Sequence, residues 1–291
     1  MTTGADRLRD LVVLASDLDH PECVTTGPDG TVYAGGEAGQ IYTIDPVERT
    51  VRQIASIGSP VGGLVTDADG SVFACDSERA RVVRIGRDGR VDPFVDGGGG
   101  RPMARPNYMV FDRGGSLLVS DSGAWGKNDG LIWNVSRDGT ARVFSEHAQH
   151  FPNGMAIDPS NSYLYVIESS ASRVVRMPLG TSPAPRVSPV VTIPETVPDG
   201  LAFDAAGNLF IACYRPDRIY RLRQNGHLDI FLDDWAAVTL CAPTNITFFG
   251  PTLERLAIAS LAGRTVYALA VDGGPGMPLN YPADGEAWVH G

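Results

Sequence analysis

Runs of about five residues in which apolar and polar side chains alternate, bounded by Gly, Asp and Asn, follow one another from about residue 10 to residue 270. Alternation with a period of two, closed off by turn formers, is the mark of half-buried β-strands. The runs recur in a fixed order. A segment opening on a turn-like motif appears as PECVTTGPDG from Pro21, VGGLVTDADG from Val61, PNYMVFDRGG from Pro106, PNGMAIDPSN from Pro152, PDGLAFDAAG from Pro198 and PTNITFF from Pro243. The second residues of these copies are Glu22, Gly62, Asn107, Asn153, Asp199 and Thr244, separated by 40, 45, 46, 46 and 45 residues. Each copy continues with a β-type run (TVYAG at 31, SVFAC at 71, SLLVS at 116, YLYVI at 163, NLFIA at 208, RLAIA at 255). A second alternating run then follows, such as IYTID at 41 or IYRLR at 219, and most units add a less regular fourth, such as VDPFV at 91.

Four short strands in a unit of about 45 residues, repeated six times, predict an all-β six-bladed β-propeller in which residues 1–291 form a single domain. One four-stranded sheet cannot bury both of its faces, whereas a ring of such sheets can. Two stacked sandwiches would not require a constant phase along the whole chain. The sixth unit lacks a fourth strand after Ala270, where VDGGPGMPLNYP reads as loop, and DLVVLAS at residues 10–16 is the strand expected to complete it and close the ring.

In a propeller the first strand of each blade lines the central channel, so residues at the same phase meet at one mouth of it. Glu22, Asn107, Asn153 and Asp199 share that phase although they are spread over 177 residues. Taken singly, Pro-Asn-Gly and Pro-Asp-Gly are good turns, because Asn and Asp bond their own backbone and Gly accepts positive φ. Four side-chain oxygens around one axis also admit a second reading, since two carboxylates there repel unless a cation stands between them. Two carboxylates and two amide oxygens suit a hard divalent ion such as Ca²⁺, Mg²⁺ or Mn²⁺. The absence of His and Cys at this phase argues against a typical structural zinc site.

Composition narrows the partners. With 34 acidic against 24 basic side chains, a net charge of −10 speaks against nucleic acid or an anionic membrane surface as a partner. No apolar stretch approaches the roughly 20 residues of a membrane helix. Met1 to Asp10 carries no basic start followed by an apolar run, so no signal peptide is expected and a cytoplasmic location is. Cys23, Cys75, Cys213 and Cys241 lie far apart and read as reduced, partly buried small hydrophobes. Oligomeric state leaves no trace in the pattern.

The motifs Pro21-Glu22, Arg105-Pro106-Asn107, Pro152-Asn153-Gly154, Pro198-Asp199-Gly200 and Pro243-Thr244-Asn245, in this order and spacing, resemble the SMP-30/gluconolactonase/regucalcin-like family of metal-dependent lactonases over approximately residues 10–272. The resemblance implies hydrolysis of small lactones. It also implies one divalent metal, Ca first with Mg, Mn, Zn and Fe as the other candidates, held by Glu22, Asn153 and Asp199. Asn107 becomes a further ligand or a substrate contact, and Arg105 matches the family's substrate-binding arginine. The chain departs from many sugar lactonases in following the third-blade Asn with Tyr108 rather than Asp, which turns the expectation away from a polyhydroxylated substrate.

The mechanism expected on this basis is metal-assisted ring opening, with the cation polarising the lactone carbonyl and Asp199 taking a proton from the attacking water. The alternative is that the water is activated at the metal and Asp199 only orients it. There is no GxSxG elbow and no HExxH motif, and Lys127, the sole lysine, sits in a polar loop. His147 and His150 read as inter-blade or hydrogen-bonding residues, and Gly97–Gly100 as a flexible connection between blades. Loops joining second to third strands return to the blade-opening face. The longest, DSGAWGKNDG at residues 121–130, places Trp125 either as a lid over a bound ring or as a rim side chain packed on a neighbouring blade. Tyr214 and Glu168 occupy comparable loops, while Asp121 could satisfy loop amides. Tyr108, Trp125 and Tyr214 together point to a less polar lactone or ester. The rivals are aryl-ester or phosphotriester hydrolysis on the same cup, a metal-free condensation of the strictosidine-synthase kind, and a non-catalytic propeller that binds a protein. The oxygen set favours hydrolysis.

Overall fold

The computed structural model describes residues 4–180 and 185–283. Six four-stranded antiparallel sheets form a ring, and their inner strands touch in order around it. Blade 1 comprises Cys23–Thr26, Val32–Gly35, Gln40–Ile44 and Val51–Ser56, and blade 2 Val61–Thr66, Val72–Asp76, Arg81–Ile85 and Val91–Val95. Blade 3 is Pro106–Phe111, Leu117–Asp121, Leu131–Val135 and Ala141–Ser145, and blade 4 Pro152–Ile157, Tyr163–Glu168, Arg173–Pro178 and Ser188–Thr192. Blade 5 runs Pro198–Phe203, Leu209–Tyr214, Asp217–Leu222 and Leu228–Asp233. Blade 6 has three strands from its own unit, Pro243–Phe249, Arg255–Ser260 and Thr265–Ala270, and its outermost strand is Val12–Ala15, antiparallel to Thr265–Ala270. The predicted closure is therefore the one formed.

The apolar members of the alternation face neighbouring blades. Six clusters of buried hydrophobic side chains fill the six interfaces, from Cys23, Ile41 and Leu64 between blades 1 and 2 to Leu14, Val24 and Phe249 between blades 6 and 1. Fully burying each such side chain is worth roughly 1.5–3 kcal/mol, which is why the ring holds without a central core. All four cysteines are free thiols, three of them inside these layers. Among the described residues no helix is long and apolar enough to cross a membrane.

Two connections differ from their sequence-based expectation. Gly97–Gly98 pairs with Arg101–Pro102 in a short hairpin instead of a loose link, and Gly98 lies so close to the Ala141 carbonyl that a Cβ would collide with it. The segment after Ala270 is a loop by periodicity but a strap by contact. It crosses the channel at the end remote from the blade openings. Met277 N donates to Phe203 O (2.9 Å), Asn280 Nδ2 to Phe111 O (2.8 Å), the Tyr281 hydroxyl to Thr26 O (2.8 Å), and Pro282 O accepts from Ala68 N (2.9 Å). The strap thereby ties blades 5, 3, 1 and 2 and closes an apolar chamber of about 70 Å³ inside the channel. With these bonds contributing about 1 kcal/mol each, a chain ending at Gly274 is expected to melt about 5–10 °C below the full chain in a thermal scan. An unchanged midpoint would show that the strap is not part of the ring's stability.

Candidate active site

Asn107, Asn153 and Asp199 are delivered to the axis by a backbone irregularity, whereas Glu22 precedes the regular ladder of blade 1. In blades 2 to 6 the ladder between first and second strands slips just after the opening residue. In blade 3, Pro106 pairs with Asp121 and Tyr108 with Ser120, so Asn107 is the extra residue of a β-bulge. Asn153 and Asp199 lie within the corresponding slips of blades 4 and 5. A bulge takes its residue out of the ladder and re-aims its side chain. The glycines that follow let the inner strands approach: a Cβ on Gly200 would meet Asn245 Cα and Thr244 O at 2.8 Å, and one on Gly154 would strike Asp199 O.

A second repeated device, the acid–Ser dipeptide that ends the second strand, escaped the sequence reading. Ser77 Oγ donates to Pro106 O (2.6 Å), Ser122 Oγ to Pro152 O (2.7 Å) and Ser169 Oγ to Pro198 O (2.7 Å), each bridging to the opening residue of the next blade. Thr244 Oγ1 makes the equivalent closure to Glu22 O at 2.7 Å. The preceding acids hold the lead-in of their own blade. Asp121 accepts from Ala104 N (2.9 Å), Arg105 N (2.6 Å) and Trp133 Nε1 (3.0 Å). Glu168 accepts from Gln149 N (2.8 Å), His150 N (3.0 Å) and Arg173 Nε (2.6 Å). Glu168 is thus fully buried and anchors a loop; it does not line the pocket. The repetition of Asp76-Ser77, Asp121-Ser122 and Glu168-Ser169 was the available signal. Tyr214 occupies the serine's place in blade 5.

The electrostatics identify which groups meet. Asp199 is buried, and its carboxyl is pushed well above the ordinary range by burial first and by the charge of Glu22 second, with a hydrogen bond from Asn153 opposing. Glu22 is pushed up to about 7 by burial, then by Glu37, with Arg105 pulling the other way. Among the described residues no lysine or arginine closes an ion pair with either carboxylate. The Asn107 amide nitrogen donates to Ser122 Oγ (3.0 Å) and that of Asn153 to Ser169 Oγ (3.3 Å), so the amide oxygens are the atoms left for a ligand. Two mutually repelling carboxylates, with no ion pair and only the more distant Arg105 charge acting on Glu22, beside two anchored amides fit a divalent cation.

The other sequence candidates take distinct places. Arg105 is exposed at the mouth and acts electrostatically on Glu22. The Tyr214 hydroxyl is raised to about 12 by burial and then by Asp199, and Tyr214 follows Cys213, which pairs with the Pro198 that precedes Asp199. Trp125 is 54% exposed and meets the Phe151 ring edge-on at 4.9 Å, so the long loop leans on the lead-in of blade 4 next to Asn153. Tyr108 is buried in the channel wall, hydrogen-bonded to Asn245 across the channel, and faces the lower chamber. It belongs to the floor beneath the carboxylates because the bulge spends one residue, Asn107, at the rim.

A further candidate metal site stands at the rim. Asp19, His20 and Glu37 bring one ligand atom each within 4.8 Å of one another, His20 Nδ1 lying 3.0 Å from Asp19 Oδ1 and 3.1 Å from Glu37 Oε2. Asp19 is held below the usual carboxylate range by its hydrogen bonds from His20, Gln40 and the Ala38 amide. Hydrogen bonds from Gln40 and the Ala38 amide already occupy Asp19 Oδ2 in this group.

Comparison with known proteins agrees with this geometry. The sequence profile of the SMP-30/gluconolactonase/LRE-like region matches residues 26–262, and that of the N-terminal part of strictosidine synthase-like proteins matches residues 5–44. The 6-deoxy-6-sulfogluconolactonase of Pseudomonas putida is 24% identical over 247 residues, 77% of this chain and 76% of its own length. A gluconolactonase of Xanthomonas campestris superposes with a TM-score of 0.75 at 19% identity, covering 89% of both chains. Regucalcin of Agrobacterium tumefaciens, a calcium-binding protein, does so with a TM-score of 0.73 at 17% identity, covering 93% of this chain and 95% of its own. At such identities the superpositions establish the fold alone.

Proposed function

The chain belongs to the SMP-30/gluconolactonase/LRE-like family, and from that premise we propose that it is a divalent-metal-dependent hydrolase that opens a small lactone. The observation that carries this reading is the pair of carboxylates at the channel mouth, the buried Asp199 and the half-buried Glu22. The charge of Glu22 raises the proton affinity of Asp199, and neither closes an ion pair among the described residues. Glu22, Asn153 and Asp199 would hold the ion, with Asn107 as a further ligand or a substrate contact; the calcium-binding relative makes calcium the first choice. When bound, a divalent ion supplies Lewis acidity to the lactone carbonyl.

The chain's own residues do the rest. Asp199 accepts a proton from the attacking water. Arg105, fixed through its backbone to Asp121, orients the substrate from the rim. Trp125 and Phe151 cover one flank and limit the access of bulk water. The names of two relatives, a 6-deoxy-6-sulfogluconolactonase and a gluconolactonase, support lactones as the substrate class. The aromatic flank favours one less polar than an aldonolactone.

Elemental analysis with chelation tests this reading. The purified protein is expected to carry about one divalent ion per chain, to lose lactone hydrolysis on chelation and to recover it when calcium returns. Glu22→Gln is expected to bring the metal content close to zero in a protein that still folds. Unchanged stoichiometry in that variant would remove Glu22 from the ligand set.

A further inference from the structure

The face that carries the carboxylates has a second opening, a cleft of about 480 Å³ above blade 5. This volume falls in the range of small-molecule sites. Tyr214 belongs to both places: it lines the cleft, and it directly follows Cys213, whose ladder partner Pro198 directly precedes Asp199. From Tyr214 the cleft runs outward. Tyr214 ends the second strand of blade 5, Arg218 and Tyr220 lie on the third, and Trp235 follows the fourth.

Pro194, Tyr214, Pro216, Tyr220 and Trp235 give the cleft its flat apolar faces. The charges beside them balance, Arg215 and Arg218 against Glu195 and Asp217, so the cleft has no net attraction for an ion. Trp235 is 73% exposed. Its position is nevertheless held. The Arg218 guanidinium lies 5.1 Å from the indole centroid and is itself tied to Asp233 by an Nε–Oδ1 contact of 2.7 Å. An indole braced in this way gives contact area at low cost in conformational freedom.

Resting on the lactonase reading, we propose that this cleft seats an aryl substituent of the lactone, so that the substrate extends from the carboxylates, past Tyr214, to Trp235. A ring placed there would stack against indole and phenol faces, and the lactone carbonyl would remain over the mouth.

The test compares γ-butyrolactone with γ-phenyl-γ-butyrolactone in the calcium-loaded full chain, alongside calorimetric binding of the corresponding phenyl-substituted γ-lactam. Wild type is expected to favour the phenyl lactone in kcat/KM by about tenfold or more. Trp235→Ala, a surface change checked by its melting curve, is expected to cut that preference to about twofold while leaving γ-butyrolactone turnover unchanged, and to abolish lactam binding. A phenyl preference or lactam affinity that survives Trp235→Ala would overturn the assignment. If neither lactone is opened with any divalent ion, the lactonase reading fails by itself. The lactam measurement, which needs no turnover, then still decides for or against the cleft.

Discussion

Asp199→Asn is expected to lower lactone turnover by about three orders of magnitude or more, the upper part of what a positioned general base contributes. The substitution keeps the size of the side chain and an oxygen for the ion, and removes the group that takes up a proton. The measurement is kcat on protein whose metal content and melting midpoint have been determined in the same preparation. A folded, metal-loaded variant with near-normal turnover would sink the proton-transfer role of Asp199. It would place water activation elsewhere at the mouth.

Stripped of divalent ions, the protein is expected to become less stable as pH rises from about 4.5 to about 7. The direction follows from the shift. Glu22 has a folded-state pKa of about 7 against an ordinary 4.5, so folding favours its neutral form. That contribution is fully present below 4.5 and is lost as pH climbs through about 7. At 1.36 kcal/mol per unit, the difference amounts to on the order of 3 kcal/mol from Glu22, and Asp199 adds in the same direction. Calcium should flatten the dependence, since a bound cation compensates both charges. Urea midpoints at pH 5 and pH 7.5, with and without calcium, read this out. Equal slopes in both conditions would show that the two carboxylates are not the ion's seat, and Glu22→Gln should remove much of the metal-free slope.

The ring and the phase of its inner strands were legible because both are periodic. Period-2 alternation chooses strands, the 45-residue recurrence counts blades, and a sixth unit short by one strand leaves a place for Val12–Ala15. Glu22, Asn153 and Asp199 were legible as a group for the same reason. What escaped was local and aperiodic. The bulge that turns Asn107 toward the axis and sends Tyr108 below it is a change of register, which residue identity does not record. The strap at 275–282 has no alternation because backbone and side-chain bonds to several blades hold it, not a neighbouring strand. Glu37 lies 17 residues beyond His20, and only the fold of blade 1 brings it to Asp19 and His20. Glu168 looked like a pocket residue because anchoring acids and ligand-binding acids occupy the same strand ends.

The place of blade 6 between blades 5 and 1 has a consequence for biosynthesis. Glu22 leaves the ribosome early and Asp199 follows 177 residues later, yet the two cannot face each other until Pro243–Ala270 has been translated and has captured Val12–Ala15. A nascent chain with five finished blades still presents an open arc. Any ion held by both carboxylates would therefore have to wait for ring closure, so binding of the ion and capture of Val12–Ala15 by blade 6 would be coupled.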